Sequence, residues 1–246
     1  MTGSARRAQN QPAWLLHHRP FRDTSRILDI ISREHGRISL VARGVRSAKS
    51  RLRGILRPFL PLQLSWFIRS DLGTLTGAEM DGAPLQLKGD ALISGYYVNE
   101  LLLKLLHLHD PQPEIFDAYA VTIRNLASEM DVAPLLRRFE MELLRLLGYA
   151  LNLDNDSESL SVLQPEQLYE YRADQGAVVA TGREGMMIFS GRQLTAIGRQ
   201  EFGESDTLQC ANRLLRNVIA HRLDGKELKS RKVLRDLKKS SESAAN

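Results

Sequence analysis

Arg26-Ile27-Leu28-Asp29-Ile30-Ile31-Ser32, then Glu34-His35-Gly36, then Arg37-Ile38-Ser39-Leu40-Val41-Ala42. The outer two segments are short and rich in β-branched residues, and the second alternates apolar with polar. The three residues between them read as a turn, so the stretch predicts two antiparallel strands. Working outward, Trp14-Leu15-Leu16-His17-His18-Arg19 is a further short strand, closed by Pro20. On the other side, Pro58 and Pro61 bracket the entry to Leu62-Gln63-Leu64-Ser65-Trp66-Phe67, and residues 72–79 supply a fifth strand. Five short strands joined by tight turns in about 70 residues predict a small closed barrel.

Charge separates this barrel segment from the rest. Between Glu34 and Asp71 there is no acidic residue, while Arg37, Arg43, Arg46, Lys49, Arg51, Arg53, Arg57 and Arg69 all fall there. Residues 1–60 hold thirteen Lys and Arg against Asp23, Asp29 and Glu34, although the whole chain carries only +5. Uncompensated cations repel one another when the chain folds, so such a stretch expects an anionic partner. Residues 42–54 have two glycines and little apolar content, and read as a flexible basic loop suited to a phosphate backbone. A solvated loop serving only solubility is the alternative. An OB-fold over residues 12–82 fits best, since such barrels commonly bind single strands with a basic groove and aromatic platforms. Trp14, Phe21, Phe59, Trp66 and Phe67 are the aromatics that either stack bases or pack the core. Residues 1–11 read as a disordered tail.

From Pro84 the period changes to that of helices, giving an α+β chain with a mainly helical domain over residues 83–240. A helix is expected over 90–108, with Leu92, Tyr96, Asn99, Leu103 and Leu106 on its stripe. A second is expected over 114–130, and a third from Pro134 to Leu147, with Asp131 as cap and Gly148 as stop. Short connections predict a three-helix bundle over 90–148. Residues 150–190 are irregular, with a hairpin expected about Asp174-Gln175-Gly176. Over 191–240, Ser190 caps a short helix to Ile197, Asp206 caps a longer one to Leu223, and a basic helix runs from Leu228 to Lys239.

On a helical wheel, Leu135, Phe139, Leu143 and Leu146 of the third helix share one face and belong to a core. Met141 and Leu144 fall almost opposite, next to Arg137, with Arg138 and Arg145 on the flank. An apolar strip edged by guanidiniums suits a peptide that offers an apolar side chain and a carboxylate. A helix buried on both sides, with Arg137 paired to an internal acid, meets the same pattern equally.

Residues 44–50 resemble a phosphate-binding loop only superficially: the Gly before Lys49 is missing, the spacing is one residue short, and no helix pattern follows. His17, His18, His35, His107, His109 and His221 show no ligand spacing, and no paired-acid or nucleophile motif is present, so no enzyme, cofactor or metal is expected. The single cysteine, Cys210, builds no disulfide and reads as a core thiol in a reducing, cytoplasmic setting. No apolar region follows Arg6-Arg7 and no run of eighteen apolar residues exists, so neither an export signal nor a membrane span is expected.

With these pieces placed, the chain resembles the bacterial RecO family from Trp14 to about residue 237. The resemblance is carried by residues 19–25 (RPFRDTS), 36–46 (GRISLVARGVR), 58–62 (PFLPL), 97–102 (YVNELL), 136–140 (LRRFE), 147–149 (LGY) and 225–231 (GKELKSR), in that order and spacing. It implies an N-terminal OB-fold and a helical C-terminal domain in a non-enzymatic recombination mediator associated with the nucleoid. It also implies binding of single- and double-stranded DNA, annealing of complementary strands, binding of the acidic C-terminal tail of single-stranded DNA-binding protein (SSB), and cooperation with RecR in loading RecA. On that reading Arg19, Arg22, Arg43, Arg46, Lys49, Arg51, Arg53 and Arg57 contact DNA. Arg137, Arg138, Met141, Leu144 and Arg145 receive the tail. Many family members carry a four-cysteine zinc module that residues 150–190 lack, so the resemblance is to a zinc-less branch. An OB-fold RNA-binding protein of translation or RNA metabolism is the alternative that the residues alone leave open.

Overall fold

The computed structural model describes residues 6–69, 71–128, 130–182 and 187–233. The chain divides into two compact units: Met1–Met130 with Leu228–Asn246, and Asp131–Glu227.

The first unit is built on a closed barrel of β1 (Arg6–Phe21), β2 (Ser25–Ser32), β3 (Gly36–Ala42), β4 (Leu62–Ile68) and β5 (Leu72–Met80), in the order β1-β2-β3-β5-β4. Neighbours are antiparallel except β3 and β5. This is the expected five-stranded, OB-like barrel. Alternation explains its interior: Ile38 and Leu40 of β3 and Leu62, Leu64 and Trp66 of β4 point inward to meet Leu15, Leu28 and Ile30. Strand β1 begins earlier than the sequence suggests, since Arg6 and Arg7 already pair with Ile68 and Phe67. Residues 6–11 of the expected tail are therefore strand, and residues 1–5 lie outside the described residues.

Strands β1 and β2 are buried on both faces. Ala13 and Leu15 turn into the barrel, whereas Trp14, Leu16, Ile27 and Ile31 are buried without belonging to its interior cluster. That outer apolar surface needs cover, and helices α2 (Gly89–Leu105) and α3 (Pro113–Leu126) provide it by packing on β1 and β2. The first compact unit thus runs past the barrel to residue 130. The three helices over 90–148 form no self-contained bundle, because two of them complete the barrel unit. The buried stripe of α2 also differs from expectation. Ser94, Val98, Leu101 and Leu102 face in with Asn99, while Leu92 and Tyr96 face out.

A β-bulge between Leu15 and His17 leaves Leu16 without a partner in β2. Its carbonyl accepts a 2.9 Å bond from Asn99 Nδ2, and Asn99 Oδ1 accepts a 2.8 Å bond from the Tyr119 hydroxyl. The Tyr119 ring meets Trp14 edge-on at 5.6 Å. At the far end of α2 the chain turns back along β3, where His109 N–H donates to the Arg37 carbonyl at 2.9 Å. Gly36, at φ +67°, lies against the Asp110 backbone so closely that a Cβ there would sit 1.9 Å from the Asp110 carbonyl oxygen.

The chain's C-terminal segment returns to this unit as a strap on α2. Leu228 is buried, and residues 229–233 are helical. The remainder of the expected last helix lies outside the described residues. The Glu100 carboxylate caps the strap: Lys229 N–H and Ser230 N–H each donate to it at 2.9 Å, and the Ser230 hydroxyl does so at 2.7 Å. Arg231 donates to the Tyr97 hydroxyl at 2.7 Å, its guanidinium 5.1 Å from the ring centroid.

In the second unit, α4 (Val132–Leu146) packs on α6 (Ser205–Arg222), and α5 (Gly191–Gly198) also packs on α6. Asp131 caps α4 through Ala133 N–H, and Gly148, at φ +82°, ends it. The expected hairpin is β6 (Leu168–Arg172) with β7 (Gly176–Val179), and β8 (Ile188–Ser190), which the sequence reading missed, pairs on the other side of β6. Ser190 and Gln193 close a capping box at α5. Asp206 lies inside the first turn of α6 and is not its cap.

Replacing Asn99 with Ala is expected to destabilise the protein by about 2–4 kcal/mol, because the Leu16 carbonyl and Tyr119 hydroxyl lose their buried partner. Chemical denaturation measures it. Burial pushes the Glu100 carboxyl up, but its three bonds from the strap outweigh this and hold it below the ordinary 4.5. A depressed folded value means that the strap's docking is complete above the ordinary glutamate range and is lost as pH falls below it. Exchange protection at Lys229 and Ser230 is expected to decline over that acid window, and in Glu100→Gln to be low already at neutral pH.

Candidate nucleic-acid interface

The basic segment after β3 is not slack. Val45 is fully buried in the barrel core, Arg46 N–H donates to the Thr24 carbonyl at 2.9 Å, and turns close at Gly44–Ser47 and Ser47–Ser50. A single helical turn, α1 (Leu52–Ile55), follows, with Leu52 and Ile55 packed on the same core. Its apolar residues hold the segment down while its cations project. This corrects the expectation of a flexible loop: Val45, one apolar residue among polar and basic ones, is the signal that the sequence reading passed over.

All eight cations expected to contact DNA are solvent-exposed: Arg19 and Arg22 at the β1–β2 end, Arg43, Arg46 and Lys49 on the pinned segment, and Arg51, Arg53 and Arg57 on and around α1. Among the described residues none of them forms a salt bridge with an acid, in contrast to Arg33, which donates to both Asp117 oxygens at 2.9 and 3.1 Å. Arg46 donates to the Arg22 carbonyl at 3.2 Å, which joins the two loops. Between them lies an open cleft of about 470 Å³ lined by Phe21, Arg22, Thr24, Arg43 and Gly44. Such a site offers exposed cations that no acid bridges among the described residues, beside an aromatic edge.

Two other cations of the acid-free stretch behave differently. Arg37 is half-buried and donates to the Leu103 carbonyl, and burial pulls its pKa down. It ties the barrel to α2 and does not face solvent with the rest. Arg69 stacks at 5.5 Å on the outward-facing Phe67, as Arg22 does at 5.2 Å on Phe21. Of the five aromatics considered for stacking, Trp14, Phe59 and Trp66 are core, and only Phe21 and Phe67 remain partly open.

The second candidate site does not open as the helical wheel suggested. Leu144 is 1% exposed and Arg137 only 7%. Arg137 Nη2 donates to Glu140 at 2.6 Å, its Nη1 donates to Asn212 on α6, and Glu140 is itself fully buried. Helix α4 is therefore buried on both sides around an internal ion pair. Arg138 and Arg145 remain exposed and Met141 half-exposed, with Arg145 held by Glu142 at 2.8 Å. In residues 150–182 the buried Asp156 carboxylate accepts from Glu158 and Ser159 N–H at 2.9 and 2.7 Å.

Two family models account for nearly all of the chain. Residues 7–82 match "Recombination protein O N terminal", and residues 86–232 match "Recombination protein O C terminal". The chain belongs to the RecO family. Among its relatives named DNA repair protein RecO, that of Aromatoleum aromaticum is 43% identical over 232 residues, covering 94% of this chain and 97% of the relative. That of Methylococcus capsulatus is 42% identical, covering 91% of each, and that of an Azoarcus species is 41% identical, covering 94% and 97%. The family assignment places this RecO chain in DNA repair and recombination. No described helix is long and apolar enough to cross a membrane.

Arg137→Ala removes the cation that faces the buried Glu140 carboxylate, a loss of about 3–5 kcal/mol for a buried pair. Thermal denaturation is expected to show this cost, and Arg138→Ala, on an exposed flank, is expected to stay within about 0.5 kcal/mol of the parent.

Proposed function

We propose that this RecO chain is a DNA-binding mediator of recombinational repair. It holds single- and double-stranded DNA on the barrel, anneals complementary strands, and with RecR helps RecA onto strands covered by SSB. The observation that supports this reading most directly is the set of eight exposed cations, six of them on a segment anchored by Val45, with no acid bridged to any of them among the described residues. Phosphate contacts position a strand without reading its bases, so binding is general in sequence. Annealing needs no catalytic group: cations on one protein screen the repulsion between two strands and keep them together while pairing forms.

The acidic tail of SSB is assigned to the open flank of α4. There Arg138 offers charge-assisted bonds to carboxylates, Arg145 lies beside it paired with Glu142, and Met141 offers an adaptable apolar contact. Arg137 and Leu144 support that helix from within. The protein acts as a binding mediator and not as an enzyme, in the cytoplasm against the nucleoid.

Anisotropy of a labelled single strand is expected to report tight binding whose log affinity falls with log salt at a slope of about 4–6, as six to eight phosphate contacts require. The combined Arg43→Glu, Arg46→Glu and Lys49→Glu variant is expected to lose binding while its circular dichroism stays unchanged. Binding that survives this triple reversal refutes the assignment to the barrel loop. Competition by RNA of the same sequence at equal affinity would favour an RNA-binding role instead.

A further inference from the structure

Helix α2 carries an aromatic ring that neither the core nor the basic loop uses. Tyr96 is 47% exposed, and Leu92, one turn earlier on the same face, is 36% exposed. The ring is set in place from behind. Phe59 meets it edge-on at 5.1 Å, and Phe59 itself rests on Gly95, where a Cβ would lie 2.9 Å from two of its ring carbons. Phe59 adopts φ +62°, a conformation that a bulky residue holds only when its surroundings impose it. An exposed tyrosine so firmly seated costs little further ordering when it takes a flat ligand.

Exposed cations lie near it in two chain segments. Phe59 is two residues from the exposed Arg57, a chain distance of at most about 7 Å. Along α2, Glu100 lies one turn, about 6 Å, beyond Tyr96 on the same face. Glu100 is the residue on which the C-terminal strap docks, through Lys229 and Ser230. Lys229 and Lys232 are exposed there. The carboxylate between ring and strap is spent on capping the strap and is matched by that helix start. An open aromatic face with exposed cations in two nearby segments, and no duplex-shaped groove demanded of it, is the pattern of a single-strand stacking platform.

We propose that Tyr96 stacks an unpaired base of single-stranded DNA, with the phosphates on its two sides held by Arg57 and by Lys229 and Lys232 of the strap. The bound strand leaves the barrel loop, crosses α2 at Tyr96 and continues along the C-terminal strap. This rests on the DNA-binding reading above and adds to it a second segment of the path that prefers unpaired bases. In duplex DNA the base faces are already stacked, so Tyr96 contributes only to single strands.

The test uses the full chain and oligo(dT) of about 30 nucleotides. Trp14 and Trp66 are both buried, so in Tyr96→Trp the new indole is the solvent-exposed one, and its emission is expected to be quenched as oligo(dT) is added. Tyr96→Ala is expected to weaken oligo(dT) binding by about 5- to 100-fold, as loss of one stacked base does, and to leave duplex binding unchanged. Tyr96→Phe is expected to bind as the parent does. Lys229→Gln with Lys232→Gln is expected to lower the single-strand salt slope by about 1.4, the share of two phosphates. Binding of oligo(dT) by Tyr96→Ala at parental affinity, or unquenched emission from Tyr96→Trp while the parent binds, overturns the platform and leaves the barrel reading standing. Equal weakening of single-strand and duplex binding overturns it too, since that marks a structural role. A parent protein that binds no single strand overturns both.

Discussion

The Asn99 amide holds the first unit together. The bulge in β1 turns the Leu16 carbonyl away from the sheet, and a carbonyl buried without a donor is costly. Asn99 supplies that donor from α2 and takes the Tyr119 hydroxyl from α3 in return. One buried side chain therefore fixes the strand, both helices and the register of all three. Hydrophobic cover by α2 and α3 is what makes the arrangement favourable, and the amide makes it unique. Loss of water around the Tyr119 hydroxyl also pushes its pKa well above the usual phenol range, so the donor stays protonated at any physiological pH.

This scaffold lets charge accumulate where it would otherwise be unfavourable. Eight exposed cations on and around one short segment repel one another, and a slack loop would relieve that by spreading. Val45, Leu52, Ile55 and Leu56 are instead packed on the barrel core, so apolar burial holds the cations together against their repulsion. An anionic ligand gains from that preorganisation, because the ordering has been done before it arrives. The same logic runs through Phe59, whose ring rests on Gly95 and seats Tyr96.

The second unit resolves its internal charge differently. Arg137 and Glu140 are one turn apart on α4 and both buried, which is tolerable because they meet directly and Asn212 satisfies another guanidinium proton. Asp156 does comparable work in the irregular region, using backbone N–H groups as its partners. Burial and neighbouring Asp206 push the Cys210 thiol up, so it behaves as packing material within α6.

The sequence by itself determined the barrel, the helices and the basic segment. Each of these is a local pattern: period-2 alternation in β3 and β4, turn residues between strands, caps at Asp131, Gly148 and Ser190, and a run of cations with no acid. The ordered stretches shared with the RecO family were equally readable. Tertiary structure alone decided which faces are covered. The wheel on α4 left an open strip and a doubly buried helix equally possible for Leu144 and Arg137, because angular position says nothing about how many neighbours a helix has; α6 covers that side and decides for burial. On α2 the heptad-like stripe pointed to Leu92 and Tyr96, yet Gly95 and Ser94 face inward, because small residues are what allow Phe59 and the barrel to approach closely. The first compact unit extends past the barrel for the same reason: Trp14, Leu16, Ile27 and Ile31 on the outer face of the barrel need helices that lie far along the chain. Pairing across such a separation leaves no local period to read, so it emerges only when the chain closes on itself.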